Sequence, residues 1–180
     1  MSLAISGLAP RRLPWLLGLS ALILLADRLT KIWVGEHVPM GGAIPIIPRV
    51  LRITHLANYG GNFGIFAGAA QRSLLVRWEL IALNALVLLV ILAVMVRFGD
   101  RFSGTSVGLA LALGGGLSCI HDRIAFGAVV DFIEVHVFNY HWPDFNLGDI
   151  AILSGAFLIA LDYLTSNARI VQPQSPEAAQ

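Results

Sequence analysis

The sequence has a single cysteine, Cys119, among its 180 residues. An intrachain disulfide is therefore impossible, and so is a cysteine-based metal cluster. It is also short of charge. Asp, Glu, Lys and Arg make up 13% of the chain, about half of the roughly 25% usual in globular domains. At the same time 57% of the residues are hydrophobic, more than a soluble domain of this length can hide in its interior. The net charge of +1 argues against a nucleic-acid partner. No G-x-S-x-G elbow, no H-E-x-x-H and no H-x-x-x-H occurs, nothing repeats, and there is no lipobox cysteine or C-terminal anchor signal. What these absences leave is an integral membrane protein with one domain over 1–166 and a polar, proline-containing, disordered tail over 167–180.

What is there begins with apolar runs. A helix that crosses the hydrocarbon needs about 20 mainly apolar residues, and four segments supply them: about 14–34, 75–97, 104–121 and 149–166. The first has a basic flank, Arg11 and Arg12, but continues to Val34 with no A-x-A site, so it reads as a retained membrane helix and not a cleaved leader. The third, GTSVGLALALGGGLSCIH, is rich in glycine and suited to close packing on a neighbour. The long connections, 35–73 and 122–147, carry β-like runs, VLRITHLANYG and VVDFIEVHVF, which are candidates to pair. The expected fold is an all-α bundle of four transmembrane helices with a small β-containing element on the outer face. Arginines tie by count between the two sides; the pair at Arg11 and Arg12 favours cytoplasmic N- and C-termini.

Against this apolar background, Asp131, Glu134, Asp144 and Asp149 fall within nineteen residues, just before the last apolar run. Charges beside a bilayer usually have a task or a partner. On a strand, Asp131 shares a face with Val129 and Ile133, an uncomfortable place for an acid that is neither catalytic nor hydrogen-bonded. Asp149 starts the fourth helix, where an N-cap alone explains an aspartate. Together they deliver two carboxylates to one interface. If they converge, repulsion keeps one protonated while the other is ionised, a pair able to polarise a carbonyl and activate a water. Glu134 and Asp144 read as solvated loop charges. Asp27 and Lys31, four apart in the first helix, pair either as a neutralised interfacial couple or as support for a polar site in the bundle. Asp122 and Arg123 read as an interfacial stop. His136 and His141 are five apart, with His55 and His121 isolated, and are read as interfacial polar surface; no metal and no cofactor is expected.

These residues lie in motifs that resemble bacterial lipoprotein signal peptidase, signal peptidase II, over about 14–165. DRLTK (27–31) is similar to the family's D-x-x-x-K, ANYGGNFGIF (57–66) to its N-x-G-x-x-F-G, DRIAFGAVVDF (122–132) to D-R-x-x-x-G-x-V-x-D-F, and DFNLGDIAI (144–152) to F-N-x-A-D-x-x-I. The resemblance implies catalytic aspartates at Asp131 and Asp149, with Asn58, Arg123 and Asn146 lining the site and Asp122, Asp27 and Lys31 supporting it. It implies cleavage of prolipoproteins before a diacylglyceryl-modified cysteine, at the outer face of the bacterial cytoplasmic (inner) membrane, by a monomer among membrane lipids. The chain departs from the family at SCIHDR (118–123), where Cys119 takes the place of an asparagine and His121 of an apolar residue. Gly148 replaces an alanine, which implies a looser approach to the helix, and Asn62, beside Gly61, is a candidate to compensate for the missing amide. The alternative these departures raise is a catalytically weak or inactive paralogue that binds lipidated peptides or an inhibitor. A third reading, a transporter component relaying through Asp27 and Lys31, finds further polar positions only at Asn84 and Asp162.

Overall fold

Three consecutive glycines, Gly114, Gly115 and Gly116, organise the bundle. Successive residues of a helix point about 100° apart, so each glycine faces a different neighbour. The computed structural model describes residues 12–60, 68–69, 73–98, 102–138 and 140–171. Its helices are α1 (Leu13–His37), α2 (Leu74–Phe98), α3 (Gly104–Phe126) and α4 (Leu147–Val171), all long and apolar enough to cross a membrane. A Cβ on Gly114 would lie 2.5 Å from the Ser20 carbonyl of α1, one on Gly115 2.3 Å from the Gly148 carbonyl of α4, and one on Gly116 2.5 Å from Leu88 of α2. The glycine-rich helix thus packs closely on three neighbours, not one. Lipid tails are as apolar as leucine, so helices in a bilayer associate through such close packing and not through hydrophobic burial.

The α3–α4 seam continues away from the sheet. Gly108 and Gly155 meet backbone to backbone, where an added Cβ on either would lie within 2.5 Å of the other's carbonyl oxygen. Asp162 accepts hydrogen bonds from Thr105 N (2.9 Å) and Oγ1 (2.7 Å), tying the start of α3 to α4. That gives Asp162 a structural partner in place of a role in a relay. Ser20 Oγ donates to the Ala110 carbonyl at 2.8 Å and stitches α1 to α3. Leu16, Leu88, Met95, Ala110 and Leu113 fill the core between α1, α2 and α3. Leu22, Leu25 and Leu29 of α1, Leu83, Leu86 and Leu89 of α2, and Phe157 and Leu164 of α4 stay exposed, as lipid-facing residues must.

At one end of the bundle the two long connections form a four-stranded antiparallel sheet in the order β1 (Ala43–Ile47), β2 (Leu51–Asn58), β3 (Val129–Val137), β4 (Tyr140–His141). The two β-like runs of the sequence are β2 and β3, and they pair, with Ala57 opposite Val130 and Leu56 opposite Asp131. Pro45 sits in β1, an edge strand that tolerates a residue without an N–H donor. A small core of Val34, Val38 and Phe132, flanked by Ile53 and Leu147, fastens the sheet to α1 and α4.

The helix bounds differ from expectation where charges intervene. α3 does not stop at residue 121 but runs through Asp122 and Arg123 to Phe126, because both side chains are buried inside the protein, Asp122 paired with Lys31 and Arg28 and Arg123 bonded to the Gly60 carbonyl. Its end is set by Gly127, whose φ of 75° ends the helix in the left-handed region that glycine favours. α4 begins at Leu147 and extends to Val171, beyond the expected 166; the tail after it lies outside the described residues. Gly115→Ala should lower the thermal unfolding midpoint in detergent by the equivalent of about 1–3 kcal/mol, as overpacking does. Gly18→Ala, where nothing lies within 4 Å of the new methyl, is the control. Equal midpoints for the two would contradict the close seam.

Candidate active site

Asn146 joins the two carboxylates that the sequence singles out. It precedes the first residue of α4 and acts as its N-cap, with Oδ1 accepting from Asp149 N at 3.0 Å. Asp149 Oδ2 reaches back to Asn146 N at 3.2 Å, completing a reciprocal capping box. Asp149 is therefore the third helical residue and not the N-cap. With Oδ1 committed to the helix, the Asn146 amide must turn Nδ2 the other way, and it donates to Asp131 Oδ1 at 2.7 Å. On the far side, Asn58 Nδ2 donates to Asp131 Oδ2 at 2.9 Å, its own orientation held by Gly60 N donating to Oδ1. Asp131 is thus gripped on both oxygens at the start of β3, and it is buried. Burial first, and the neighbouring Asp149 carboxylate second, push its pKa up to about 7.

Behind this pair lies a buried charge network. Lys31 Nζ sits 2.5 Å from Asp27 Oδ2 and 2.8 Å from Asp122 Oδ2, and Arg28 closes the set on Asp122 Oδ1. Two acids thus face two bases. Asp27 also accepts from Ser118 Oγ at 2.5 Å and from Gly148 N at 3.0 Å, and Asp122 accepts from Val130 N at 3.3 Å. Each acid therefore holds the backbone one residue before a candidate carboxylate: Gly148 before Asp149, Val130 before Asp131. Of the two roles left open for Asp27 and Lys31, the supporting one matches this geometry, since both side chains are buried.

Arg123, one step along α3, interacts electrostatically with both Asp131 and Asp149. Its Nη2 donates to the Gly60 carbonyl. Its Nε and Nη1 are buried without a hydrogen-bond partner among the described residues. The structure thus gathers the other six residues expected at the site, Asn58, Arg123, Asn146, Asp122, Asp27 and Lys31, around Asp131 and Asp149. Neither carboxylate lines the cavity of about 380 Å³ beside them, which is bordered by Arg28, Lys31, Met40, His55, Tyr59 and Val130. Residues 61–67, including Asn62, lie outside the described residues.

A family model described as signal peptidase (SPase) II matches residues 19–165. The chain belongs to the signal peptidase II family. It is 36% identical over 161 residues to the lipoprotein signal peptidase of Blochmanniella pennsylvanica, covering 87% of this chain and 94% of that one. It is 40% identical over 151 residues to that of Burkholderia mallei, covering 84% and 87%. Its fold matches a bacterial membrane enzyme solved by the in meso method at 2.3 Å resolution, with a TM-score of 0.78, 22% identity and coverage of 93% and 97%. A second such structure, at 1.9 Å, matches with a TM-score of 0.72, 22% identity and coverage of 92% and 98%. The protein is accordingly a membrane-embedded bacterial peptidase.

Seen as a signal peptidase II, the chain corrects two expectations. Gly148 does not loosen the helix approach: a Cβ there would lie 3.0 Å from both the Gly115 carbonyl and Asn146 Oδ1, so the seam is tight at this point. Glu134 is not a solvated loop charge: it is buried, with hydrogen bonds from Arg52 Nε (2.5 Å) and Nη2 (2.6 Å), which hold its pKa near 2. Asp144 accepts from Thr54 Oγ1 at 2.5 Å and braces β2 against the approach to α4. The sequence reading missed Arg28 and Ser118. The repeated Asp-Arg pairing at 27–28 and 122–123 is the signal for the first; Ser118, at the start of SCIHDR, is a buried donor to Asp27.

Replacing Lys31 alone leaves two buried acids facing one arginine. Lys31→Met should destabilise the protein by about 3–5 kcal/mol, the usual result of orphaning a buried charge. Asp27→Asn combined with Lys31→Met restores neutrality and should recover part of that loss. Thermal unfolding in detergent measures both, and a double variant no more stable than the single one would speak against charge balance.

Proposed function

We propose that this signal peptidase II is an intramembrane aspartyl endopeptidase that removes signal peptides from lipid-modified prolipoproteins, cutting just before the diacylglyceryl cysteine. The observation that carries the reading is Asn146, hydrogen-bonded to Asp131 and Asp149 at once. Residues 1–166 act as one peptidase domain, working as a monomer in the cytoplasmic membrane. With four spans and cytoplasmic termini, the sheet and the site stand at the outer face, where a lipid-anchored substrate presents its cleavage point.

In this mechanism Asp131 starts with the proton and Asp149 is ionised. Asp149 takes a proton from a water as its oxygen adds to the scissile carbonyl carbon, while Asp131 donates its proton to the carbonyl oxygen. The gem-diol then collapses: Asp149 gives its proton to the leaving amine nitrogen, Asp131 recovers one from a diol hydroxyl, and the C–N bond breaks. The enzyme ends as it began. The orphaned Nε and Nη1 of Arg123 are donors suited to a substrate backbone carbonyl. Asn58 and Asn146 fix the Asp131 carboxyl so that no reorganisation is needed at the moment of reaction. The remaining supports, Asp27, Lys31 and Asp122, act through the backbone at Gly148 and Val130.

Two measurements test this. Purified protein in detergent is given a diacylglyceryl-modified prolipoprotein and cleavage is followed by gel shift. Asp131→Asn and Asp149→Asn should each lower the rate by at least about 10²–10⁴-fold, the range of general acid–base catalysis, while both variants stay folded. Retained cleavage by either removes the dyad. A folded wild type that fails to cut, in an assay where a relative succeeds, favours the binding paralogue. The pH profile gives a second check. Asp131 must be protonated to act as the acid, and its pKa is raised to about 7. The rate should therefore fall as pH rises through about 7, the limb belonging to the pair and not to one residue. A rate that stays flat to pH 9 would contradict the assignment.

A further inference from the structure

The β3–β4 hairpin carries a cluster that the peptidase chemistry does not use. Glu134 and His136 are two apart on β3 and so share a face, and His136 is the cross-strand partner of His141 on β4. Strand alternation and hairpin register together bring one carboxylate and two imidazoles to one point. Their ligand atoms all lie within 4.8 Å of one another. Glu134 Oε1 is 3.0 Å from His136 Nε2 and 3.2 Å from His141 Nδ1. Those separations are close to the edge of a tetrahedron with metal–ligand bonds of about 2.0–2.1 Å, roughly 3.3 Å.

A second observation points to a ligand. His136 Nε2 is buried and has no hydrogen-bond partner among the described residues; it lies near Oε1 without being aligned to it. Buried polar atoms left in this state are uncommon and call for an explanation. Two tilted rings, 4.1 Å apart between His136 and His141, face the same carboxylate oxygen, an arrangement that a shared cation satisfies directly. The carboxylate is ionised through its bond to Arg52. Arg52 holds both oxygens, Oε2 through Nε at 2.5 Å and Oε1 through Nη2 at 2.6 Å, and a cation would take the second lone pair of Oε1.

We propose that Glu134, His136 and His141 form a site for a borderline first-row divalent cation of the Zn²⁺ type, clipping β4 to β3 at the tip of the sheet. Two imidazoles and one carboxylate are the donor set such ions prefer, whereas Mg²⁺ and Ca²⁺ seek oxygen ligands. His141 is mostly exposed, so an ion enters from solvent and keeps water in its open position. The site is separate from the reacting pair: Asp131 is three residues from Glu134 along β3, and strand alternation sends the two to opposite faces. The inference does not depend on the proposed peptidase mechanism.

The test uses the full chain in detergent, free of any polyhistidine tag and treated with chelator. Calorimetric titration with Zn²⁺ should show saturable one-to-one binding, and Co²⁺ should give the intense visible bands of a low-coordinate site. His141→Ala, an exposed position whose loss leaves the fold intact, and Glu134→Gln should each weaken binding by at least about tenfold, as disturbed metal sites do. His121→Ala should leave it unchanged. Three outcomes would overturn the site: no saturable binding by the wild type, undiminished binding by His141→Ala, or displacement of Zn²⁺ by excess Mg²⁺.

Discussion

One ammonium group between two carboxylates organises the rest of the protein. Lys31 Nζ contacts Asp27 and Asp122 in a region closed to solvent, where attraction between opposite charges is far stronger than in water and an unpaired charge is correspondingly expensive. The pairing does more than neutralise. Asp27 belongs to α1 and binds the backbone at the start of α4; Asp122 belongs to α3 and binds the backbone of β3. A single cation thereby fixes the relation among three helices and a strand. The glycine seam is the complementary condition. Because Gly115 lets α4 approach until Gly148 nearly touches it, Gly148 N comes within reach of Asp27, and a bulkier seam would pull that contact apart.

The Asn146 amide converts this frame into a candidate site. A carboxamide has one acceptor end and one donor end, and here the acceptor is claimed by the helix it caps. The donor then has only one direction left, toward Asp131. Helix capping and orientation of the carboxyl are the same event, so the geometry of the pair is as rigid as the start of α4. An aspartate at this position would cap the helix equally well but could not donate to Asp131, and a serine would not reach it.

The sequence carried much of this because bilayer physics is severe. Apolar runs such as 75–97 have no other use, and charges such as Asp27 within one need a partner. Asp131 was singled out by the same reasoning, as an acid on a face where acids are uncomfortable, Asp149 by its possible convergence with Asp131, and the motifs around them raised the specificity. What was not legible depends on contacts between distant segments. That Gly114, Gly115 and Gly116 each serve a different helix follows from helical rotation only once the neighbours are known. The continuation of α3 through Asp122 and Arg123 requires Lys31 and Arg28 to be waiting for Asp122 and the Gly60 carbonyl for Arg123. Glu134 seemed a loop charge because nothing nearby in the chain reveals that Arg52, far away on β2, pairs with it across the sheet. His136 and His141 were read as separate polar surface because helical spacings were sought for a pair that a hairpin register joins.

The remaining question is how a water-poor interface holds so many ionisable groups without coming apart. The network of Asp27, Asp122, Arg28 and Lys31 sums to zero, so it adds pairing without net charge. Beside it stand two carboxylates and Arg123. Were both acids ionised, this second group would be net negative and the repulsion between Asp131 and Asp149 would be unrelieved. Burial raises the Asp131 pKa to about 7, and when it holds its proton one carboxylate faces one guanidinium. The second group then also sums to zero. The protonation state that best tolerates the membrane, one acid neutral and one charged, is the same state that the proposed aspartyl hydrolysis requires at its start. On this argument the raised pKa of Asp131 is a consequence of building the site where it is, and it needs no separate tuning device: any change that let water flood the pair would ionise Asp131 and remove the proton donor while leaving every side chain in place.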